Sequence, residues 1–255
     1  AMAGAQPLYL AAGFILEEGF PLAELQRIVA SMARAARDAE VPIVTGDTKV
    51  VERGKGDGVF ITTTGVGVIP AGVDISANRA QPGDAVLLSG PLGEHGMAVL
   101  AQRENLSFDT SIESDTAALH GLVAAMVAAV PDIHCLRDPT RGGLSSALNE
   151  IARQSGVGMR LREASIPVKE PVRALCEFLG LDPLYVANEG KLLAICPAEA
   201  TETLLAAMHA HPLGREAALI GEVVVDPHGF VEMETVFGGH RLVDWLSGEQ
   251  LPRIC

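Results

Sequence analysis

The hydrophobic positions of this chain fall into short runs that alternate between two periods. Leu8 to Leu16 is an apolar run bounded by Pro7 and Glu17, which predicts a buried strand. Pro21 then predicts a helix start, with Leu22, Leu25, Ile28, Val29 and Met32 at helical spacing behind it. Val41–Thr45 predicts a short strand and Val59–Ile69 a longer one rich in β-branched residues. Pro70, Gly72, Pro82 and Gly83 mark 70–84 as a linker. Beyond it the pattern predicts strands at 85–89, 157–162, 191–196, 217–225 and 230–235. Helices are expected at 94–103, 113–130, 142–155, 170–179 and 198–210, with Gly180 placed to end one of them.

The order of elements predicts an α/β block followed by an α+β block. Three parts are expected: 1–72, the remainder of an N-terminal domain; 73–235, an α+β domain; and 236–255, a C-terminal tail with Gly238, Gly239 and Gly248 as flexible points. The first block holds about three strands and one long helix, too few to cover its own sheet edges and helix face. It opens on Ala1-Met2-Ala3-Gly4 without a capping signal, so a preceding segment of the N-terminal domain is expected elsewhere.

Composition narrows the function classes. Aromatics are only 4% of a chain that is 48% hydrophobic, so the core is built from Ala, Val, Leu and Ile. A net charge of −13, from 19 basic and 32 acidic residues, argues against a nucleic-acid surface but leaves room for a local nucleotide site. Apolar stretches break off before the ~18 residues of a membrane span, and no secretory leader pattern opens the chain. The four cysteines, Cys135, Cys176, Cys196 and Cys255, form no C-x-x-C pair, which makes a zinc site a poor reading and reduced cytoplasmic thiols a good one. Cys176 and Cys196 lie in apolar runs as core residues, and Cys135 follows His134 as a fragment of a ligand pair.

Four segments carry candidate chemistry, each with a plainer alternative. Gly46-Asp47-Thr48-Lys49 is placed directly after a strand, where Asp47 suits a metal, Thr48 a phosphate and Lys49 its charge; an ordinary charged turn is the alternative. Arg137-Asp138-Pro139-Thr140-Arg141-Gly142-Gly143 precedes a helix, where free N–H groups favour an anion, against plain capping by Asp138 or Thr140. Glu189, in Asn188-Glu189-Gly190-Lys191, is a candidate base or a solvated turn residue. His95, in the glycine-rich turn Gly90–Gly96, is a candidate phosphate or acid–base group, and Glu17-Glu18 reads as a solvated turn. The chain ends Pro252-Arg253-Ile254-Cys255. A terminal thiol can enter a pocket closed to internal side chains, with Pro252 stiffening the approach and Arg253 supplying a cation; a frayed end is the alternative.

These segments together resemble the HypE family of hydrogenase maturation proteins, the cyanide-ligand synthases of nickel–iron hydrogenase assembly. The likeness rests on Phe14–Gly19, Val44–Val51, Arg137–Gly143, Ala187–Leu192, Ala218–Val223 and the ending Leu251–Cys255, in family order. The family is similar in turn to aminoimidazole ribonucleotide synthetase, selenophosphate synthetase and thiamine-monophosphate kinase. The resemblance implies a two-domain synthetase-like architecture: a dimerising N-terminal α/β domain, an α+β domain and a mobile tail. It also implies several tens of residues ahead of the segment matching Ala1. In chemistry it implies that the Cys255 thiol receives a carbamoyl group from the carbamoyltransferase HypF. ATP with Mg2+ then activates the carbamoyl oxygen, dehydration leaves a thiocyanate, and the cyano group passes to iron on a HypC–HypD complex. The implied roles are magnesium at Asp47, nucleotide binding at Thr48, Lys49, Arg137, Asp138 and Arg141, and the base at Glu189. Another synthetase or kinase of the superfamily, or a module that only docks to a partner, are the competing readings.

Overall fold

The computed structural model describes residues 1–104, 112–246 and 248. The chain divides into two compact units, Ala5–Pro70 and Ala1–Gly4 with the chain from Ala71 onward.

The smaller unit consists of β1 (Gln6–Glu17), α1 (Leu22–Asp38), β2 (Ile43–Val51) and β3 (Val59–Val68). Its sheet has the order β2-β1-β3, with β1 parallel to β2 and antiparallel to β3. A parallel neighbour requires a crossover, and α1 supplies it. The Leu8–Leu16 run is a strand as expected, but it is not buried: only Ala12 is. Three strands and one helix leave most of both sheet faces open, so Tyr9, Ile15, Val44, Val50, Phe60 and Val66 stay exposed and α1 buries no residue. Gly46-Asp47-Thr48-Lys49 is also corrected. It lies inside β2, paired with Ala12, Gly13, Phe14 and Ile15, rather than after a strand. The long partner β1 extends the ladder through residues whose local preference is for a turn. Gly46 permits that approach, because a Cβ there would lie 2.0 Å from the Ala12 carbonyl oxygen. Glu18 lies exposed in the expected turn, but Glu17 belongs to the strand before it. Glu17 ends β1, and its carboxylate accepts the N–H groups of Gly54 and Gly58, bonds that hold it below the ordinary carboxylate range.

The larger unit continues with β4 (Ala85–Leu88), α2 (Glu94–Arg103), α3 (His120–Ala129), β5 (Cys135–Arg137), α4 (Gly143–Ser155), β6 (Gly158–Arg162), α5 (Glu170–Leu179), β7 (Leu193–Cys196), α6 (Thr201–Ala210), β8 (Ala218–Val224), β9 (Val231–Glu234) and β10 (His240–Leu242). The seven strands form one mixed sheet in the order β10-β9-β6-β8-β4-β7-β5. Every residue of β4 and β7 is buried, which is why these strands read as unbroken apolar runs. Alternation splits them between two cores. Val86, Leu88, Leu193 and Ile195 pack with Leu144, Leu148 and Ile151 of α4. Leu87, Ala194 and Cys196 pack on the other face with Leu122 and Met126 of α3 and Leu204 and Met208 of α6. A third cluster joins Met97 of α2 to Val172, Leu175 and Cys176 of α5.

Three elements differ from the sequence pattern. β5 and β10 are three residues long, too short to show a period. β10 occupies part of the expected tail: Gly238 turns the chain back, β10 pairs antiparallel with β9, and Val243 is buried. The helix expected over 113–130 begins only at His120, because Ser114, Asp115 and Thr116 spend their side chains on local and long-range hydrogen bonds instead.

Candidate functional site

Four segments of the larger unit are tied together beside β4, β5 and β7: the turn Gly90–Gly93, the stretch 112–119, the loop Arg137–Gly142, and Val186–Lys191. Asn188 is the knot. Its side chain is fully buried; Oδ1 accepts the Gly93 N–H at 2.7 Å, and Nδ2 donates to the Pro139 and Val186 carbonyls at 3.0 Å each. Its own N–H donates to Pro139 at 3.1 Å. An amide is the side chain that supplies one acceptor and two donors at once.

The loop Arg137–Gly142 leads into α4 through Gly142 and Gly143, at φ 75° and 61°. No side chain caps α4, so capping by Asp138 or Thr140 does not account for this segment. A Cβ on Gly143 would fall 2.4 Å from the Leu184 carbonyl oxygen and 2.7 Å from that of Val186, so α4 starts hard against the chain leading to Asn188. Arg137 pairs with Glu150 at 2.9 Å and lies 3.6 Å from Asp138, while its Nε is buried without a partner. Arg141 is exposed on the same loop.

Glu189 is half-buried, and its Oε1 has neither solvent nor a hydrogen-bond partner. Burial pushes its carboxyl above the ordinary range; His95 pulls against this, and Asp138 and Asp115 add to it. The Nε2 of His95 is likewise buried without a partner, and its Nδ1 meets Ser114 Oγ at 2.8 Å. The structure therefore brings Arg137, Asp138, His95 and Glu189 into one neighbourhood, with two unpartnered polar atoms on groups able to move a proton. Beside it a cavity of about 290 Å3 is lined by Ser89, Glu94, Asp115, Lys169 and Lys191. Sequence reasoning gave Asn188 no role of its own and missed Ser114, Asp115 and Lys191; no periodicity links residues about 75 positions apart.

Asp47, Thr48 and Lys49 belong to the smaller unit. They are exposed, and strand alternation sets Asp47 and Lys49 on one face with Thr48 on the other, so the three do not converge. Among the described residues no group of three or more His, Cys, Asp or Glu side chains is placed to hold a metal. The donor chemistry of Asp47 still fits magnesium, which takes one or two carboxylates and draws its other ligands from phosphate and water. One Asp47 oxygen accepts the Thr48 N–H at 2.8 Å. Cys135, Cys176 and Cys196 are buried, and burial pushes their thiols up to about 11, 11 and 12, so all three stay protonated and inert. Cys255 lies outside the described residues. No helix among them is long and apolar enough to cross a membrane.

Residues 1–69 match the AIR synthase related protein N-terminal domain, and residues 81–234 match the corresponding C-terminal domain. The whole chain is 74% identical to the carbamoyl dehydratase HypE of Azotobacter vinelandii, covering 75% of that protein. The chain belongs to the HypE family. A solved HypE in complex with ATP is similar over the whole chain and 77% of its own, with a TM-score of 0.95 and 53% identity. The HypE chain of a HypE–HypF complex matches over 96% of this chain and 80% of its own, with a TM-score of 0.93 and 48% identity.

The four bonds of Asn188 make it the position where this HypE family site is most open to a single isosteric change. Asn188→Asp removes both donors and faces a carboxylate against two carbonyls. It is expected to cost ~1–3 kcal/mol or more, read by urea denaturation, with the loss shrinking at acid pH as the new carboxyl regains a proton.

Proposed function

We propose that this chain is the ATP-dependent carbamoyl dehydratase of nickel–iron hydrogenase maturation and that it acts on an S-carbamoyl group carried by its own Cys255. The observation that carries the reading is Glu189, a carboxylate with a desolvated, unpartnered oxygen and a proton affinity above the ordinary range. Dehydrating a thiocarbamate to a thiocyanate removes both protons from its nitrogen and the oxygen from its carbon. ATP supplies the phosphoryl group that turns that oxygen into a leaving group. Glu189 takes a proton from nitrogen as the oxygen is phosphorylated and the C=N bond forms. The departing phosphate carries the second nitrogen proton away as hydrogen phosphate, completing the C≡N bond. A carboxylate held above its usual range is the stronger base for the first of these proton transfers, and its desolvation costs nothing at the moment of reaction.

The remaining roles follow from charge. Asp47 would hold magnesium, which neutralises charge on the ATP phosphates. In the smaller unit Lys49 is proposed to supply positive charge to a nucleotide and Thr48 a hydroxyl; in the larger unit Arg141 supplies positive charge, and Arg137, braced by Glu150, and Asp138 shape the loop that carries it. Cys255 is the acceptor because the other three thiols are locked in the core. We further propose HypF as carbamoyl donor, a HypC–HypD complex as recipient of the cyano group, and a cytoplasmic homodimer as the working form. The dimer is supported by the apolar side chains that the smaller unit leaves on its sheet.

Two outcomes test this reading. Cys255→Ser is expected to keep the fold and ATP binding but to form no cyano adduct, since oxygen yields a carbamate; the mass of the protein after incubation with HypF, carbamoyl phosphate and ATP decides it, and cyanide transfer surviving in that variant overturns the assignment. Glu189→Gln is expected to slow dehydration ~10²–10⁴-fold with ATP affinity intact, whereas Asp47→Asn weakens magnesium–ATP binding itself. Loss of ATP affinity in Glu189→Gln would move that residue into the nucleotide site.

A further inference from the structure

The stretch 112–119, which lies outside any helix or strand although a helix is expected from 113, makes a set of contacts that the reaction scheme above leaves unexplained. Asp115 Oδ1 accepts the Glu189 N–H at 3.1 Å, and Oδ2 accepts the Gly190 N–H at 3.3 Å and the Lys191 ammonium at 3.0 Å. The Ala117 N–H reaches back to the Glu189 carbonyl at 3.4 Å. The Asp115 side chain is only 2% exposed. Gly190 is pressed so closely to it that a Cβ would lie 1.7 Å from the Asp115 carbonyl oxygen. The neighbouring Ser114 meets His95 Nδ1 at 2.8 Å and Thr116 Oγ1 at 2.7 Å. Consecutive residues of one loop thus grip Glu189 and His95, two of the three side chains with unpartnered buried atoms among the described residues.

A surface turn needs no such support. The charge arrangement is equally deliberate: Asp115 pairs with Lys191, Lys191 also lies 3.4 Å from Glu94, and Glu94 pairs with Lys169 at 2.7 Å. A buried carboxylate is tolerated when charge and hydrogen bonds compensate it, and here three donors do so. What these bonds fix is the backbone of the Glu189–Lys191 turn, and with it the direction of the Glu189 carboxyl.

We infer that Asp115 is a positioning residue for the dehydration step, holding the Glu189 turn in the one conformation that aims its carboxyl, while Ser114 fixes the ring of His95. The inference rests on the reading of Glu189 as the base. Asp115 touches no reacting atom and acts through Glu189. The groups that face Glu189 are His95 from α2, Asp138 from the loop after β5, and Asp115 itself. Removing the Asp115 charge therefore lowers the proton affinity of Glu189 as well as loosening its turn.

The test is a double-mutant cycle on single-turnover dehydration of the carbamoylated full-length protein. Asp115→Asn keeps shape but turns a donor toward the Gly190 N–H or the Lys191 ammonium. It is expected to slow dehydration up to ~10²-fold, the usual cost of a misplacement near 1 Å, with ATP affinity and carbamoylation unchanged. Its acid limb should move to lower pH. On a Glu189→Gln background the same change should cost nothing further, because the group it positions is gone. An equal loss on both backgrounds, or no loss on either, overturns the inference while leaving Glu189 as base. A Glu189→Gln protein that dehydrates normally instead removes the base itself. Should Asp115→Asn fail to fold, Ser114→Ala decides: its side chain is exposed, so the fold is retained, and a several-fold loss seen only with Glu189 present supports the loop's role, whereas a wild-type rate overturns it.

Discussion

The side chain of Asn188 is the constraint on which the candidate site depends. It is fully buried, and its acceptor and both donors are matched, to the Gly93 N–H and to the Pro139 and Val186 carbonyls. Left unpaired in an apolar interior, each of these backbone groups would cost ~1–3 kcal/mol. The turn into α2, the arginine-bearing loop into α4 and the approach to β7 therefore keep a common arrangement. Gly143 enforces it sterically from the other side, since any larger residue would collide with the carbonyls of Leu184 and Val186.

Within that frame the chemistry follows from where water is excluded. Glu189 sits one residue beyond the knot, so its carboxyl inherits a fixed backbone and a desolvated position. Burial raises its proton affinity, and the carboxylates of Asp138 and Asp115 raise it further against the opposing His95. The same principle silences three of the four cysteines, whose thiols are held protonated in the cores on either side of the sheet and between α2 and α5. The proposed dehydration draws on the first of these effects at Glu189, and the second sets Cys135, Cys176 and Cys196 aside as acceptors.

The large buried elements were legible in the residues. β4 and β7 are covered on both faces, so their apolar runs have no other reading, and α4 and α5 carry clear apolar stripes and glycine C-termini. Legibility failed where tertiary partners overrode local preference. Leu8–Leu16 looks like a core strand, yet its sheet is too small to cover it. Gly46–Lys49 looks like a turn, yet β1 draws it into a ladder. Residues 113–119 have helical composition, but their polar side chains are committed to Glu189, Gly190 and His95. For the candidate site, the glycine-rich and arginine-rich segments announced themselves as motifs. Asp115 did not, because its meaning lies in a backbone it meets 74 residues later.

The central claim is that a desolvated Glu189 removes the first nitrogen proton of the Cys255 thiocarbamate as its oxygen is phosphorylated. The most direct measurement is the pH dependence of a single turnover, starting from carbamoylated protein saturated with ATP and following the cyano adduct by mass. A carboxyl of raised affinity must lose its proton before it can act. The rate should therefore climb with pH through an apparent pKa above the ordinary glutamate range and then level off. A rate that is already at its plateau below that range, or one that falls as pH rises through it, would contradict the account.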